Sequence, residues 1–146
     1  NDERKRAMAD KVVAALGGSA KGKTVAVLGL TFKPNTDDMR EAPSLAIIPA
    51  LQGAGATVKA HDPQAMEEAA LLLPGVAMAK SPYEAAQGAD VLVIVTEWDA
   101  YRALDLKRLK QEMKAPVVVD LRNIYKAEEM KASGFRYISV GRPAAG

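Results

Sequence analysis

Cysteine is absent from this 146-residue chain and histidine occurs once, as His61. Those two gaps exclude a disulfide scaffold, thiol catalysis, cysteine-ligated metals and any histidine-pair metal site. Aromatic residues make up 5% of the chain although 49% is apolar, so the core must be built from Val, Leu, Ile and Ala. That composition suits a parallel sheet covered by helices. No strong excess of either charge sign exists: 20 basic and 18 acidic residues give a net charge of +2, with the signs interleaved. A nucleic-acid surface is therefore not expected. No apolar run approaches the roughly 20 residues of a membrane span, and no signal-peptide pattern opens the chain. The expectation is a protein of the cytoplasm that does not engage a membrane. The opening N-D-E-R-K-R lacks an initiator Met and runs directly into a helical pattern, as a segment of a longer protein would.

What is present is an alternation of helical and strand patterns. Residues 2–16 read as a helix with Met8, Val12 and Leu16 on one face, stopped by Gly17 and Gly18. Thr24–Leu28 is a β-branched, apolar strand. Pro43 fits the first position of a helix that continues through Leu45, Ile48 and Leu51, with Pro49 inside it expected to kink it at a cost of ~3 kcal/mol. Strands are expected at 57–61, 76–78, 90–95, 117–119 and 135–140. Helices are expected to follow the caps Asp62 (with Pro63 at the first helical position), Ser81 and Asp105, and over 126–132. The chain closes in a Pro/Ala/Gly tail.

Six strands alternating with helices predict right-handed crossovers and a Rossmann-like α/β fold: a doubly wound, mostly parallel sheet of order 3-2-1-4-5-6, preceded by an N-terminal helix. Its crevice lies between the carboxyl ends of strands one and four. Three loops then surround one cleft, residues 29–40, 96–98 and 120–125, where the unusual side chains of the sequence collect.

The first of these loops, G-L-T-F-K-P-N-T-D-D-M-R-E, does not carry a dinucleotide fingerprint. Gly29 is followed by Leu30, Thr31 and Phe32, without the second and third glycines that let backbone approach a pyrophosphate. Asp62 at the end of strand two reads as a helix cap rather than a ribose acid. Lys33, beside Phe32 and held by Pro34, is a point charge suited to phosphate or a sugar hydroxyl. Arg40, among Asp37, Asp38 and Glu41, either belongs to a local ion-pair cluster or reaches a second nucleotide. Arg122 points toward the same cleft, where a guanidinium can fork onto phosphate or pair with a base. Trp98 is expected to pack, Glu97 to cap the next helix, and His61 to have no catalytic partner. No catalytic side chain and no metal site are expected.

The segments G-L-T-F-K-P-N-T-D-D-M-R-E-A-P-S, T-V-K-A-H-D-P, V-L-V-I-V-T-E-W and V-V-V-D-L-R-N-I-Y strongly resemble, in this order, the C-terminal UDP-binding domain of the UDP-glucose/GDP-mannose dehydrogenases, UDP-glucose 6-dehydrogenase in particular. The likeness runs from Lys23 to about Val140. It implies a parent enzyme that oxidises the C6 hydroxyl of UDP-glucose to a carboxylate in two NAD-dependent hydride transfers, through a thiohemiacetal on a cysteine. By resemblance, Phe32 and Lys33 contact substrate, Arg122 contacts substrate, and Arg40 reaches NAD bound mainly by another domain. Residues 1–18 resemble the end of the central helix that links the family's two domains and forms a homodimer, leaving 19–146 as the UDP-sugar domain. Two departures stand out: His61 occupies a place where tyrosine is commoner, and Pro49 interrupts a helix. A domain acting on GDP-mannose or a UDP-N-acetylhexosamine, or a freestanding nucleotide-binding or dimerisation module, are the alternatives. The chain alone is expected to be inactive as a dehydrogenase.

Overall fold

The structure, a computed structural model, describes residues 2–140, with the side chain of Asp2 left out; residue 1 and the tail at 141–146 lie outside the described residues. The strands are β1 (Thr24–Leu28), β2 (Thr57–His61), β3 (Ala77–Met78), β4 (Val91–Ile94), β5 (Val117–Asp120) and β6 (Arg136–Ser139). They form one sheet of order β3-β2-β1-β4-β5-β6, and every pairing is parallel. The expected topology is therefore the observed one. Leu28 stands level with His61 of β2 and Ile94 of β4, so the carboxyl ends of the three central strands open on a single edge.

Side-chain alternation sends the strand residues into two cores. Val25, Val27, Val91 and Val93 face helices α1 (Asp2–Ala15), α2 (Ser44–Gly53) and α3 (Met66–Leu72), meeting Val12, Ile47, Ile48, Leu51 and Ala69. Ala26, Leu28, Leu92 and Ile94 face the other way. They pack on α4 (Pro82–Ala86), α5 (Asp99–Arg102), α6 (Leu106–Glu112) and α7 (Ala127–Ala132) through Ala85, Tyr101, Leu109 and Met130. Burying each Leu or Ile in these layers stabilises the fold by roughly 1.5–3 kcal/mol. β1 and β4 have no exposed face, which is why both read as continuous apolar runs.

Several local signals appear as written in the sequence. Ser81 Oγ accepts from the Glu84 amide at 3.0 Å, and Asp105 Oδ1 from the Arg108 amide at 3.2 Å. Others differ. Pro43 precedes α2 instead of beginning it, though its backbone is already helical at φ −58 and ψ −29. The helix runs through Pro49 as one element; Pro49 is exposed, and the Leu45 carbonyl simply lacks its i+4 donor. Pro63 does not start α3, which begins at Met66. Asp62 instead closes a turn ahead of the helix, its Oδ1 accepting from the amides of Gln64 and Ala65, each at 2.9 Å.

Helix α1 is fastened to the edge strand β6 at two points. The Lys11 ammonium donates to the Ser139 carbonyl at 3.2 Å, and Arg136 Nη1 donates to the Ala15 carbonyl at 3.2 Å. Among the described residues no helix is long and apolar enough to cross a membrane.

Candidate functional site

The loop after β1 is fixed at its base by buried bonds. Gly29 has φ +91, and a Cβ there would lie 2.6 Å from the backbone nitrogen of Thr96, besides overlapping its side chain. Only glycine fits a backbone that is left-handed and in contact with β4's loop. The Leu30 amide donates to Asp62 Oδ2 at 2.7 Å, the Ser44 hydroxyl to the Leu30 carbonyl at 2.6 Å, and the Thr96 hydroxyl to the Thr31 carbonyl at 2.6 Å. Thr31, Ser44, Asp62 and Thr96 are all fully buried. Asp62 is thus spent on three amides and unavailable to a ribose.

Beyond Thr31 the chain turns outward. Phe32 is 49% exposed, an unusual state for the larger of the chain's hydrophobic side chains, and Lys33 beside it is exposed as well. The Thr31 hydroxyl holds the Lys33 carbonyl at 2.9 Å, fixing the backbone of the pair while leaving both side chains outside. Among the described residues no carboxylate lies within salt-bridge distance of Lys33. Asn35 and Glu41 adopt left-handed φ values of 67 and 58, bending the loop at both ends of its acidic stretch.

Within that stretch Asp38 and Arg40 are paired, as one of the two sequence readings holds. Arg40 Nη2 donates to Asp38 Oδ2 at 2.8 Å and its Nε to Oδ1 at 3.0 Å, while its amide donates to Oδ1 at 2.9 Å. The Arg40 hydrogen bonds hold the Asp38 carboxyl down at about 2, and the same contact raises the guanidinium. Arg40 nonetheless stays open to solvent over 87% of its side chain. Asp37 and Glu41 form no ion pair among the described residues.

The loops after β4 and β5 are joined by an ion pair that the sequence does not announce. Arg122 Nη2 donates to Glu97 Oε2 at 2.5 Å, with the two side chains 30% and 26% exposed. Glu97 therefore does not cap α5, whose N-cap position is Trp98 with no side-chain bond. Its other oxygen, Oε1, and Trp98 Nε1 are both buried without a partner. Trp98 itself packs in the core, as expected. The signal that could have found the pair is positional: Glu97 and Arg122 leave adjacent parallel strands on the same edge.

Arg122 is held from below by Asp120. Its backbone amide donates to Asp120 Oδ1 at 3.0 Å, and Oδ2 accepts from the Ile124 amide at 2.8 Å and the Tyr137 hydroxyl at 2.6 Å. Asn123, at φ 57, clamps Val140 through both of its amide atoms. The Arg122 side chain then lines a cavity of about 440 Å³ with Arg4, Ala7, Met8, Lys11, Leu121 and Val140. The four sequence-selected residues thus fall in two groups: Phe32, Lys33 and Arg40 on one loop, Arg122 on another.

His61 is buried beside Tyr101, with Nδ1 3.0 Å from the hydroxyl, which itself donates to the His61 carbonyl at 3.0 Å. Burial lowers the imidazole's pKa, with Asp62 opposing the shift, and raises the Tyr101 hydroxyl far above the usual tyrosine range. Both are core groups. Among the described residues no cluster of His, Asp and Glu could hold a metal.

A family model for the UDP binding domain of the UDP-glucose/GDP-mannose dehydrogenase family matches residues 26–127. The chain belongs to this family. It is 59% identical over 143 residues to the UDP-glucose 6-dehydrogenase of Rhizobium meliloti, covering 98% of this chain and 33% of that protein. It is also similar to a crystal structure of NDP-N-acetyl-D-galactosaminuronic acid dehydrogenase from Methanosarcina mazei Go1 (TM-score 0.84, 33% identity, 97% of this chain and 30% of that one). A UDP-glucose dehydrogenase structure from Pyrobaculum islandicum gives a TM-score of 0.75 at 34% identity over 95% of this chain and 29% of that one. The chain spans about a third of the length of the curated relatives it matches. Within the family's UDP binding domain, the loop after β1 carries Phe32 and Lys33 outward from the switch point of a doubly wound sheet.

Proposed function

We propose that this chain is the substrate-holding C-terminal domain of an NAD-dependent UDP-glucose 6-dehydrogenase, a cytoplasmic enzyme that converts UDP-glucose to UDP-glucuronate. The observation that carries the reading is the Phe32–Lys33 loop, anchored rigidly at its base and exposed at its tip, at the β1/β4 switch point of a domain belonging to this family. Phe32, Lys33 and Arg122 hold the nucleotide sugar. Binding energy collected on the non-reacting nucleotide then positions the sugar carbon for chemistry.

NAD, when bound, supplies the hydride acceptor. The chain's own β1 turn does not fit a dinucleotide, because Gly29 is followed by Leu30, Thr31 and Phe32, without the second and third glycines that let backbone approach a pyrophosphate. What this domain offers the cofactor is Arg40, a guanidinium that Asp38 orients and that faces outward. The chain has no cysteine and so supplies no thiol for a thiohemiacetal. Helix α1 fits the role of linking and dimerising segment, with residues 19–146 as the sugar-nucleotide unit.

Calorimetric or NMR titration with UDP, UDP-glucose, GDP-mannose and UDP-N-acetylglucosamine tests the reading. Weak binding of the uridine nucleotides, without binding of GDP-mannose, is the expected result. No binding of UDP at millimolar concentration would sink it. Preference for the N-acetylhexosamine nucleotide would move the parent activity to that substrate.

A further inference from the structure

Helices α4 and α6, on the face of the sheet away from α1, border a second cavity that reaches the β2–β3 edge. Its volume is about 460 Å³, within the range of about 300–1,000 Å³ that small-molecule sites occupy. Phe32, Lys33, Arg40 and Arg122 take no part in it.

The cations of this cavity are held in place without carboxylates. The Arg108 guanidinium lies 4.0 Å from the centre of the Tyr83 ring, a cation–π contact. The Tyr83 hydroxyl accepts from the Asp105 amide at 2.9 Å, which fixes the ring and leaves the phenolic proton to donate. The Lys59 ammonium donates to the Gln87 carbonyl at 3.1 Å. Glu84 and Glu112 line the same cavity, yet among the described residues neither pairs with a cation.

Two cations and two carboxylates thus face one space without neutralising each other. An anion there is attracted by Lys59 and Arg108 and repelled by Glu84 and Glu112, and a cation meets the reverse. A small zwitterion answers one charge of each sign and leaves the other two unanswered. A hydroxyl escapes these conflicts, because it donates to a carboxylate and accepts from an ammonium, a guanidinium or a phenol. Several hydroxyls on one compact ring can satisfy the whole wall.

We propose that this cavity binds an uncharged polyhydroxylated ligand, a pyranose sugar, with Arg108, Lys59 and Tyr83 donating to its oxygens and Glu84 and Glu112 accepting from its hydroxyls. The site is separate from the nucleotide-sugar reading above and does not depend on it.

Amide NMR of the labelled chain, titrated with D-glucose, D-galactose, D-mannose and maltose, is the test, with glycine and inorganic phosphate for comparison. Saturating shifts at Glu84, Gln87 and Arg108 in the millimolar range are expected. One hexose should bind several-fold more tightly than its epimers, since a built site reads hydroxyl orientation and a bulk solvent effect does not. Tighter binding of maltose than of glucose assigns the site to a glycan end, and equal binding to a free monosaccharide. R108Q should weaken the preferred sugar about tenfold, the scale of hydrogen bonds from a charged donor, while the Val93 amide stays in place. Replacing both acids, as E84Q with E112Q, keeps their shape and removes the repulsion, so phosphate should then shift Gln87 where it does not in the unmodified chain. Equal, non-saturating shifts for all the sugars would overturn the proposal, as would sugar binding that R108Q leaves unchanged. Saturation of these amides by phosphate or glycine below the concentration any sugar needs would replace the uncharged ligand with a charged one. None of these outcomes bears on the nucleotide-sugar reading, whose loops share no residue with the cavity.

Discussion

Gly29 and His61 show how single residues are constrained by what lies behind the cleft rather than by a ligand. Gly29→Ala adds a methyl where Thr96 already stands and forces a left-handed φ on an L-residue. A loss of about 2–4 kcal/mol is expected from overpacking and strain together, read from urea denaturation midpoints. His61 is held neutral by burial, its pKa below the ordinary 6.5. Between those two values the unfolded chain binds more protons than the folded one, so stability falls as pH drops below about 6.5 and levels off below the folded pKa. His61→Gln should flatten that decline in melts between pH 7.5 and 5; an unchanged slope would assign it to other groups. Asp38 has the same sign of linkage in a more acid window. With its carboxyl held at about 2, against an ordinary 3.8, the Arg40 contact is present above that ordinary value and lost as pH falls through 2. Its carboxyl carbon, followed by NMR, should titrate at about 2, well below the ordinary 3.8.

At the level of elements, the three loops behave as one assembly because strands that are distant in sequence end side by side. Asp62 on β2's end holds Leu30 after β1, and Glu97 after β4 holds Arg122 after β5. Asp62→Ala should cost about 2–3 kcal/mol by leaving buried amides unpaired. Hydrogen exchange at Leu30 and Ala65 should rise more than at Val93, which the substitution does not touch. These cross-links were illegible in the sequence for a physical reason. A cap such as Ser81 or Asp105 bonds three residues away and leaves a local pattern, whereas Asp62 serves an amide 32 positions earlier and Glu97 a guanidinium 25 positions later. The local pattern Asp62-Pro63 reads as a cap, and the turn it closes is real, but the second carboxylate oxygen answers to tertiary structure. Strand periodicity, by contrast, did carry the sheet order, because β1 and β4 are buried on both faces and the remaining strands sit at regular helical intervals around them.

For the molecule as a whole, composition and fold agree. A chain poor in aromatics fills two faces of one parallel sheet with small aliphatic layers, and three of its four tyrosines gather beneath the carboxyl edge. Tyr101, Tyr125 and Tyr137 lie together under the β4 and β5 loops, with the Tyr125 hydroxyl donating to the Tyr101 carbonyl and that of Tyr137 to Asp120. Supplied with NAD and UDP-glucose, the chain should form no NADH, while unfolding with a higher midpoint in the presence of UDP. Turnover by the chain alone would show that the cleft holds more chemistry than its side chains provide.

The threonine that fills the space beside Gly29 has a thermodynamic consequence. Because Thr96, Asp62 and Ser44 already hold the base of the β1 loop, that backbone does not have to be ordered when a ligand arrives. The ordering cost within this loop is then that of quieting the Phe32 and Lys33 side chains, about 0.5–1.5 kcal/mol for each, added to the rigid-body and desolvation costs of any association. The entropy of binding should accordingly be far milder than that of a loop which folds around its ligand.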